Sequence, residues 1–158
     1  MKSLVEQGAD INTSDTWDQT PLHRAVDGGK VDVACFLIER GAEVDRPDWA
    51  NRFTPLHMAS KGGHIEVSQA LIAHGANVNA RPKTGFTPLS ISALHGHLGT
   101  VKLLLEHGAD VHAITDGGET PYELSLRSGD QATIDFLHEH GAGMTRFSHI
   151  FLWRRSDI

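Results

Sequence analysis

Residues 20–29 read Thr-Pro-Leu-His-Arg-Ala-Val-Asp-Gly-Gly, and residues 54–63 read Thr-Pro-Leu-His-Met-Ala-Ser-Lys-Gly-Gly. The Thr-Pro pair recurs twice more, at Thr87-Pro88 and Thr120-Pro121, so its four copies are spaced by 34, 33 and 33 residues. A Gly-Ala pair follows the same period, and its five copies are Gly8-Ala9, Gly41-Ala42, Gly75-Ala76, Gly108-Ala109 and Gly141-Ala142. Two independent markers in one period indicate an internal repeat of about 33 residues.

Each marker of the repeat predicts a local structure. The threonine hydroxyl can accept a hydrogen bond at a helix start, and proline fits the first helical position, so a short helix should follow each Thr-Pro pair. That helix should end near a glycine nine residues after each threonine, and a second helix should run to the Gly-Ala pair. The residues between Gly-Ala and the next threonine are rich in Asp, Asn, Pro and Gly, which favours a turn or hairpin.

This helix-turn-helix-loop unit, with Thr20-Pro-Leu-His23 and Thr54-Pro-Leu-His57 as its signature, resembles the ankyrin repeat. The resemblance covers residues 1–142 and implies an all-α solenoid of stacked helix-turn-helix units with hairpin loops. Four full repeats begin near residues 20, 54, 87 and 120, after a partial repeat over residues 1–19. Ser90 and Glu123 replace the motif histidine in the last two repeats. We therefore expect weaker Thr–His hydrogen bonding there.

The two ends of the chain depart from the repeat. Met1–Gly8 matches only the last part of an outer helix. It is either the start of an unusually short cap or part of a fragment of a longer array, and the fragment is favoured. Residues 143–158 leave the repeat and contain an apolar stretch around Phe147, Phe151 and Trp153. We expect this tail either to cap the last repeat or to engage a partner, and capping is favoured because the last repeat otherwise has no cover.

The composition excludes several classes of protein. The 158 residues carry a net charge of −6 without a basic block, which counts against binding to nucleic acid. No apolar run approaches the roughly 18 residues that cross a bilayer, so we expect no membrane insertion. The single cysteine, Cys35, cannot form an internal disulfide. We expect an intracellular protein, cytoplasmic or nuclear, that is monomeric by itself.

The eleven histidines do not indicate a metal site or a catalytic site. His74, His107 and His140 each precede the glycine of a Gly-Ala pair, so they should form a row with the roughly 8–10 Å spacing of packed helices. Zinc instead needs imidazoles that converge on one point. The sequence also lacks a phosphate-binding glycine loop of the strand-loop-helix type. We therefore predict a protein that is not an enzyme and that needs neither a metal nor a cofactor.

The ankyrin resemblance implies that a protein or peptide partner binds the concave side, which hairpin tips and inner helices form. Large aromatic side chains lie in the expected tips, where solvent exposure gives them no obvious core role. The predicted partner-binding residues in the tips and inner helices are Trp17, Trp49, Phe53, Phe86, Met58, Ile91, Leu94, Arg24 and Lys61. The surrounding charges, with Asp15, Asp18 and Asp48 at one end and Arg81 and Lys83 at the other, suggest a partner that is basic at one end and acidic at the other.

Two other interpretations of these residues remain open. Phe53 and Phe86 could pack between adjacent hairpins, and Ile91 and Leu94 could lie under their own loops. The whole chain could also be a structural spacer of a longer ankyrin array, in which case Trp17 and Trp49 should be buried. Exposed tryptophans would favour recognition.

A third interpretation concerns modification of the loops. Asn12, Asn79 and His112 occupy one repeat position, and each has a leucine eight residues before it. This pattern is similar to targets of an asparaginyl hydroxylase, an iron- and 2-oxoglutarate-dependent enzyme that acts on ankyrin hairpins. The alternative is that Asn or Asp at this position only stabilises the turn.

Overall fold

The computed structural model describes residues 10–141, and this part of the chain is all-helical, with no strand. Each repeat contributes two helices, of which the first begins at the proline of Thr-Pro and the second ends shortly before Gly-Ala. Residues 1–9 of the expected partial repeat 1–19 and the tail over residues 143–158 lie outside the described residues. The helices are α1 (Pro21–Asp27), α2 (Val31–Glu39), α3 (Pro55–Gly62), α4 (Ile65–Ala73), α5 (Pro88–Leu94), α6 (Leu98–Glu106), α7 (Pro121–Ser128) and α8 (Gln131–Glu139).

The first helix of each repeat begins as its Thr-Pro pair predicts. Thr20, Thr87 and Thr120 have extended backbone, and each side chain accepts a hydrogen bond from the backbone N–H three residues later. Proline occupies the first turn, where its missing N–H removes no hydrogen bond. In the last repeat Glu123 Oε2 accepts hydrogen bonds from Thr120 N over 2.8 Å and Thr120 Oγ1 over 3.0 Å. The expectation of weaker bonding is therefore wrong for this repeat, because the carboxylate replaces the imidazole.

The turn between the two helices of a repeat needs glycine for two reasons. Gly63 has a φ of 67°, which side chains disfavour. A Cβ atom at this position would also lie 2.8 Å from Nδ1 of His97, in the next repeat. The His97 ring reaches across because its Nε2 lies 3.0 Å from the carbonyl oxygen of Lys61, within hydrogen-bond distance. The turn glycine thus permits a contact that joins neighbouring repeats.

The core is a double row of leucines that runs through the stack. First helices contact first helices, and second helices contact second helices, from one repeat to the next. Complete burial of each leucine side chain stabilises the fold by roughly 1.5–3 kcal/mol. The leucines with no exposed surface are Leu22, Leu37, Leu56, Leu71, Leu89, Leu104, Leu124 and Leu137. The all-α solenoid expected from the repeat is confirmed.

Candidate functional site

The loop tips lead directly into the first helices, so the two kinds of segment present one surface. We call it the tip face. It comprises the exposed side chains of α1, α3, α5 and α7 and of the loop tips at residues 13–19, 46–53, 80–86 and 113–119. All nine predicted partner-binding positions belong to these segments, but they differ in exposure and in their contacts.

Trp17 and Trp49 form an exposed aromatic pair on the tip face. Their side chains lie in neighbouring loops and are 54% and 64% exposed. The ring centroids are 6.1 Å apart with an interplanar angle of 55°, within the range of favourable aromatic pairs. The backbone N–H of Trp49 also donates a hydrogen bond to the carbonyl oxygen of Trp17 over 3.0 Å. The two indoles therefore form one apolar surface that is open to solvent.

An aspartate fixes the backbone of each of these loops. In the first loop, Asp15 Oδ1 accepts hydrogen bonds from the N–H groups of Trp17 and Gln19 over 2.8 and 3.0 Å. In the second loop, Asp48 is only 3% exposed, and its Oδ1 accepts from the N–H groups of Asn51 and Phe53 over 3.0 Å each. The second loop is the one that carries the extra residue of the 34-residue spacing. Both tryptophans are thus held by loops with internal hydrogen bonds.

The acidic groups near the tryptophans already have partners. Asp15 Oδ2 lies 2.7 Å from Nη2 of Arg24, and the hydrogen bond with this guanidinium, followed by the one from the Trp17 N–H, lowers the pKa of Asp15. Asp18 Oδ1 lies 3.7 Å from Nη2 of Arg46. Asp48 Oδ1 accepts hydrogen bonds within its own loop, so each of these three aspartates already has a partner in the chain.

Phe53 and Met58 are only partly available on the tip face. Phe53 is half-buried, and its ring stacks on His57 with 5.2 Å between centroids and 9° between planes. Met58 is half-buried and packs against the core. Phe86 and Leu94 are also half-buried. Part of each of these side chains thus contributes to the fold, and part faces solvent.

The sequence predicts Ile91 as a partner-binding residue on the exposed surface, and this prediction is wrong. Its side chain is only 4% exposed. Helix α5 packs between α3 and α7, and the neighbouring residues Ser90, Ser92 and Ala93 are buried as well. Close packing of this short helix encloses the isoleucine, which therefore acts as a core residue.

The chain was compared with known protein families and with curated proteins. It matches a family model described as ankyrin repeats (3 copies) over residues 47–115 and 82–148, and one described as ankyrin repeats (many copies) over residues 1–38. The chain belongs to the ankyrin-repeat family. Ankyrin repeats generally mediate interactions between proteins, and the family is typically non-enzymatic.

Two curated relatives share short segments with this ankyrin chain. It is 47% identical over 47 residues, or 29% of its length, to the 2-5A-dependent ribonuclease of Mus musculus. It is 40% identical over 55 residues, or 34% of its length, to the ankyrin repeat protein FPV233 of fowlpox virus (strain NVSL). These segments span 6% and 11% of the relatives' own lengths.

The motif histidines of the ankyrin repeats serve the fold. His57 Nδ1 accepts a hydrogen bond from Thr54 N over 3.0 Å, and its Nε2 lies 3.1 Å from the carbonyl oxygens of Ala80 and Phe86. Nδ1 is thus the acceptor, so the proton lies on Nε2. Burial lowers the pKa of His57 to about 4, which keeps the ring neutral.

His23 is the corresponding residue of the preceding ankyrin repeat. It differs from His57 in the contact between its Nε2 atom and the next loop. Burial also lowers its pKa, against an opposing effect of the Arg46 and Phe53 backbone, but its Nε2 forms no well-aligned hydrogen bond with residues 10–141. The loop that faces His23 contains Arg46 and Phe53 and carries the extra residue, whereas the loop of Ala80 and Phe86 that faces His57 has the standard length. The longer loop, which carries Trp49, thus makes a weaker contact with its histidine than the loop of standard length does.

The modification candidates lie at the contacts between ankyrin loops. Asn79 Oδ1 accepts a hydrogen bond from Asp110 N over 2.8 Å, and its Nδ2 donates to the carbonyl oxygen of Gly108 over 3.0 Å. Asn12 Oδ1 accepts from Glu43 N over 2.9 Å in the same way. His112 is exposed, and its backbone N–H donates to Asp110 Oδ1 over 2.9 Å. Asn79 therefore bridges two loops, a role that its sequence position did not reveal.

Within residues 10–141 there is no group of three or more His, Cys, Asp and Glu side chains that could hold a metal ion. No helix in that part of the chain has the length and apolar character needed to span a membrane.

Proposed function

We propose that this chain is a recognition module that binds a protein or peptide segment on the tip face. The observation that carries the proposal is the exposed Trp17–Trp49 pair, whose rings lie 6.1 Å apart on two hydrogen-bonded loops. Tryptophan is enriched among residues that dominate binding energy, and exposed apolar patches mark interaction sites. The ankyrin family relationship supports a protein as the partner.

The loops of the tip face support tight binding because they are ordered before a partner arrives. Asp15 and Asp48 hold the backbone around Trp17 and Trp49 in place. Less conformational entropy is then lost on binding than with flexible loops. Around this pair, the proposed contacts are the exposed parts of Phe53, Phe86, Met58 and Leu94, together with the cations Arg24 and Lys61.

The alternative function is a structural spacer within a longer ankyrin array. A spacer has no use for two large indoles in solvent, and it predicts that both rings pack between hairpins. Exposed fractions of 54% for Trp17 and 64% for Trp49 favour recognition. We further propose that the chain acts as an intracellular monomer without catalytic activity, cofactor or nucleic-acid ligand.

Selection from a displayed library of random peptides tests this function. The full chain is immobilised, and bound peptides are then challenged with the Trp17→Ala/Trp49→Ala variant. We expect a pool that binds the wild-type chain and not the variant. Ile65→Ala is the matched control, since Ile65 is an exposed apolar residue on α4, outside the tip face. Peptides that bind the double variant as well as the wild-type chain would contradict the proposal.

A further inference from the structure

We infer that the partner of the tip face is an acidic peptide segment, whose carboxylates contact Arg52 and Lys83 beside an apolar anchor on the tryptophan pair. This inference rests on the proposed function. It depends on which charges of the tip face are already paired within the chain and which are still available.

The available positive charges lie in the middle of the tip face. Arg52 in the second loop tip, Lys61 at the end of α3 and Lys83 in the third loop tip are all exposed. None of these three side chains forms an ion pair with another residue of the described range 10–141. Arg52 follows Trp49 by three positions, and Lys83 precedes Phe86 by three. Each loop cation thus lies close in sequence to an aromatic residue.

The backbone of Arg52 supports a specific placement of this cation. Its φ is 60°, a conformation that is uncommon for residues other than glycine. Hydrogen bonds between Asp48 and Phe53 enclose the residue, because Asp48 N donates to Phe53 O over 2.8 Å and Asp48 Oδ1 accepts from Phe53 N over 3.0 Å. The loop therefore fixes where the arginine side chain leaves the backbone.

Four acidic groups at the two ends of the tip face form ion pairs with arginines of the same chain. At one end, Arg24 and Arg46 pair with the aspartates of the first loop. At the other end, Asp116 lies 3.9 Å from Arg81, and Glu119 lies 2.8 Å from Arg127. Asp27 is an exposed carboxylate at the end of α1, one repeat away from Lys61. The charge that remains for a partner is therefore mainly positive in the middle, although the whole chain carries −6.

The spacing of repeats matches an extended peptide. Helices in neighbouring repeats pack roughly 8–10 Å apart, and an extended chain rises about 3.3 Å per residue. Carboxylates about three residues apart can then reach adjacent loop tips. Carboxylates pair well with an arginine fork and with a lysine ammonium. We expect a segment with acidic residues at such a spacing and an aromatic or aliphatic residue near them.

A nucleic acid is a weaker fit to the same charges. Strong phosphate binding needs many clustered cations, typically about 6–10 contacts, and the tip face offers three that are unpaired within residues 10–141. The overall charge of −6 further opposes a polyanion. Compared with a nucleic acid, a short acidic peptide places fewer negative charges beyond the central loops, where the rest of the chain would repel them.

The peptide pool selected on the wild-type chain provides the test. We expect enrichment of Asp and Glu near aromatic or aliphatic residues. An enriched acidic peptide should bind the Arg52→Glu/Lys83→Glu variant at least about tenfold more weakly than the wild-type chain. Its affinity for the wild-type chain should decrease when the NaCl concentration is raised from about 50 to about 200 mM. Lys30→Glu/Lys102→Glu changes the net charge equally at exposed positions outside the tip face and should leave the affinity unchanged.

The possible outcomes separate this inference from the proposed function. A pool that requires Trp17 and Trp49 but shows no acidic enrichment overturns the acidic partner and leaves the recognition function standing. A pool that requires neither tryptophan overturns both. A single-stranded oligo-dT that competes with the selected peptide and loses affinity in Arg52→Glu/Lys83→Glu would make nucleic acid the ligand and contradict the inference. Thermal melts of each variant confirm that it is folded.

Discussion

The backbone N–H of Trp49 donates a hydrogen bond to the carbonyl oxygen of Trp17 over 3.0 Å, which joins the tips of two neighbouring loops. The indole rings of the same residues lie 6.1 Å apart. Because backbone and side chains both connect the loops, neither tryptophan can move far without affecting the other. A partner that contacts one ring therefore meets a surface whose second ring is already in position.

Substitution of the turn glycine Gly63 should test the contact between repeats. Gly63→Ala adds a Cβ atom 2.8 Å from Nδ1 of His97. The backbone φ of residue 63 is 67°, which alanine disfavours. Gly129→Ala is the matched control, because its φ is 74° and no described atom lies within 4 Å of the added Cβ. Left-handed backbone costs an alanine roughly 1–2 kcal/mol in both variants, and the loss of the His97–Lys61 hydrogen bond adds about 1 kcal/mol in the first.

Urea unfolding of the two glycine variants measures this difference. The free energy of unfolding should be lower in Gly63→Ala than in Gly129→Ala. Replacing His97 by alanine should reduce the difference, because the clash is then removed. Equal destabilisation by both substitutions would show that the His97 ring does not constrain the turn.

The free energy of unfolding should fall as the solution becomes mildly acidic. Burial lowers the pKa of His57 to about 4 from 6.5, and it lowers the pKa of His23 in the same direction. Below pH 6.5 the unfolded chain binds protons that the native rings do not accept, so stability is lost as pH falls toward 4. For His57 the loss between pH 6.5 and 5 is roughly 2 kcal/mol.

Urea unfolding near neutral pH and near pH 5 measures this dependence. His57→Asn should lower the stability at neutral pH and make the dependence on pH shallower, since the titrating ring is gone. NMR of the native chain should show a neutral His57 ring protonated on Nε2. A His57 ring that titrates near 6.5 in the native state would contradict the account.

Much of the fold follows from local signals, which is why the sequence predicts it. Thr-Pro starts a helix and the turn glycine ends it, whichever repeat surrounds them. Local signals do not predict the burial of Ile91, because its 4% exposure depends on the helices on either side of α5. Glu123 shows the same limit at the level of chemistry, since a carboxylate can replace the motif imidazole at Thr120.

The candidate site was predictable in its residue types but not in its contacts. Large aromatic residues in loop segments suggested exposed Trp17 and Trp49, and both are exposed. Their mutual contact depends on how two loops of different length meet. The burial of Asp48 and the ion pair of Asp15 with Arg24 likewise depend on the folded loops, so the sequence could not reveal them.

Hydroxylation of Asn79 should depend on opening of the fold. Its amide bonds Asp110 N and Gly108 O, so an enzyme that needs an extended loop must first break both contacts. We expect the purified asparaginyl hydroxylase to modify the native chain slowly and the core variant Leu89→Ala faster. A bound tip-face peptide should suppress the reaction. Absence of added oxygen on the Asn79 peptide by mass spectrometry, even in Leu89→Ala, would end this interpretation.

Removal of residues 144–158 should lower thermal stability. The last repeat presents Leu126, which is 50% exposed, and the half-buried Ile134 and Phe136. A cap over such apolar surface contributes on the order of 1–2 kcal/mol, and an uncapped solenoid loses it. The Phe147→Ser/Trp153→Ser variant is the control, because it keeps the full length of the chain and removes only two apolar side chains of the tail. Unchanged melting in both variants would make the tail a candidate for partner contact.

The affinity of a selected tip-face peptide for Trp49→Ala tests the central claim most directly. Calorimetric titration should show a loss of roughly 2 kcal/mol or more, about 30-fold in Kd, because a hot-spot side chain is removed. The Tm should change little, since the Trp49 side chain is 64% exposed, and Ile65→Ala should bind like the wild-type chain. A Trp49→Ala variant that binds with full affinity but melts at a clearly lower temperature would contradict the account.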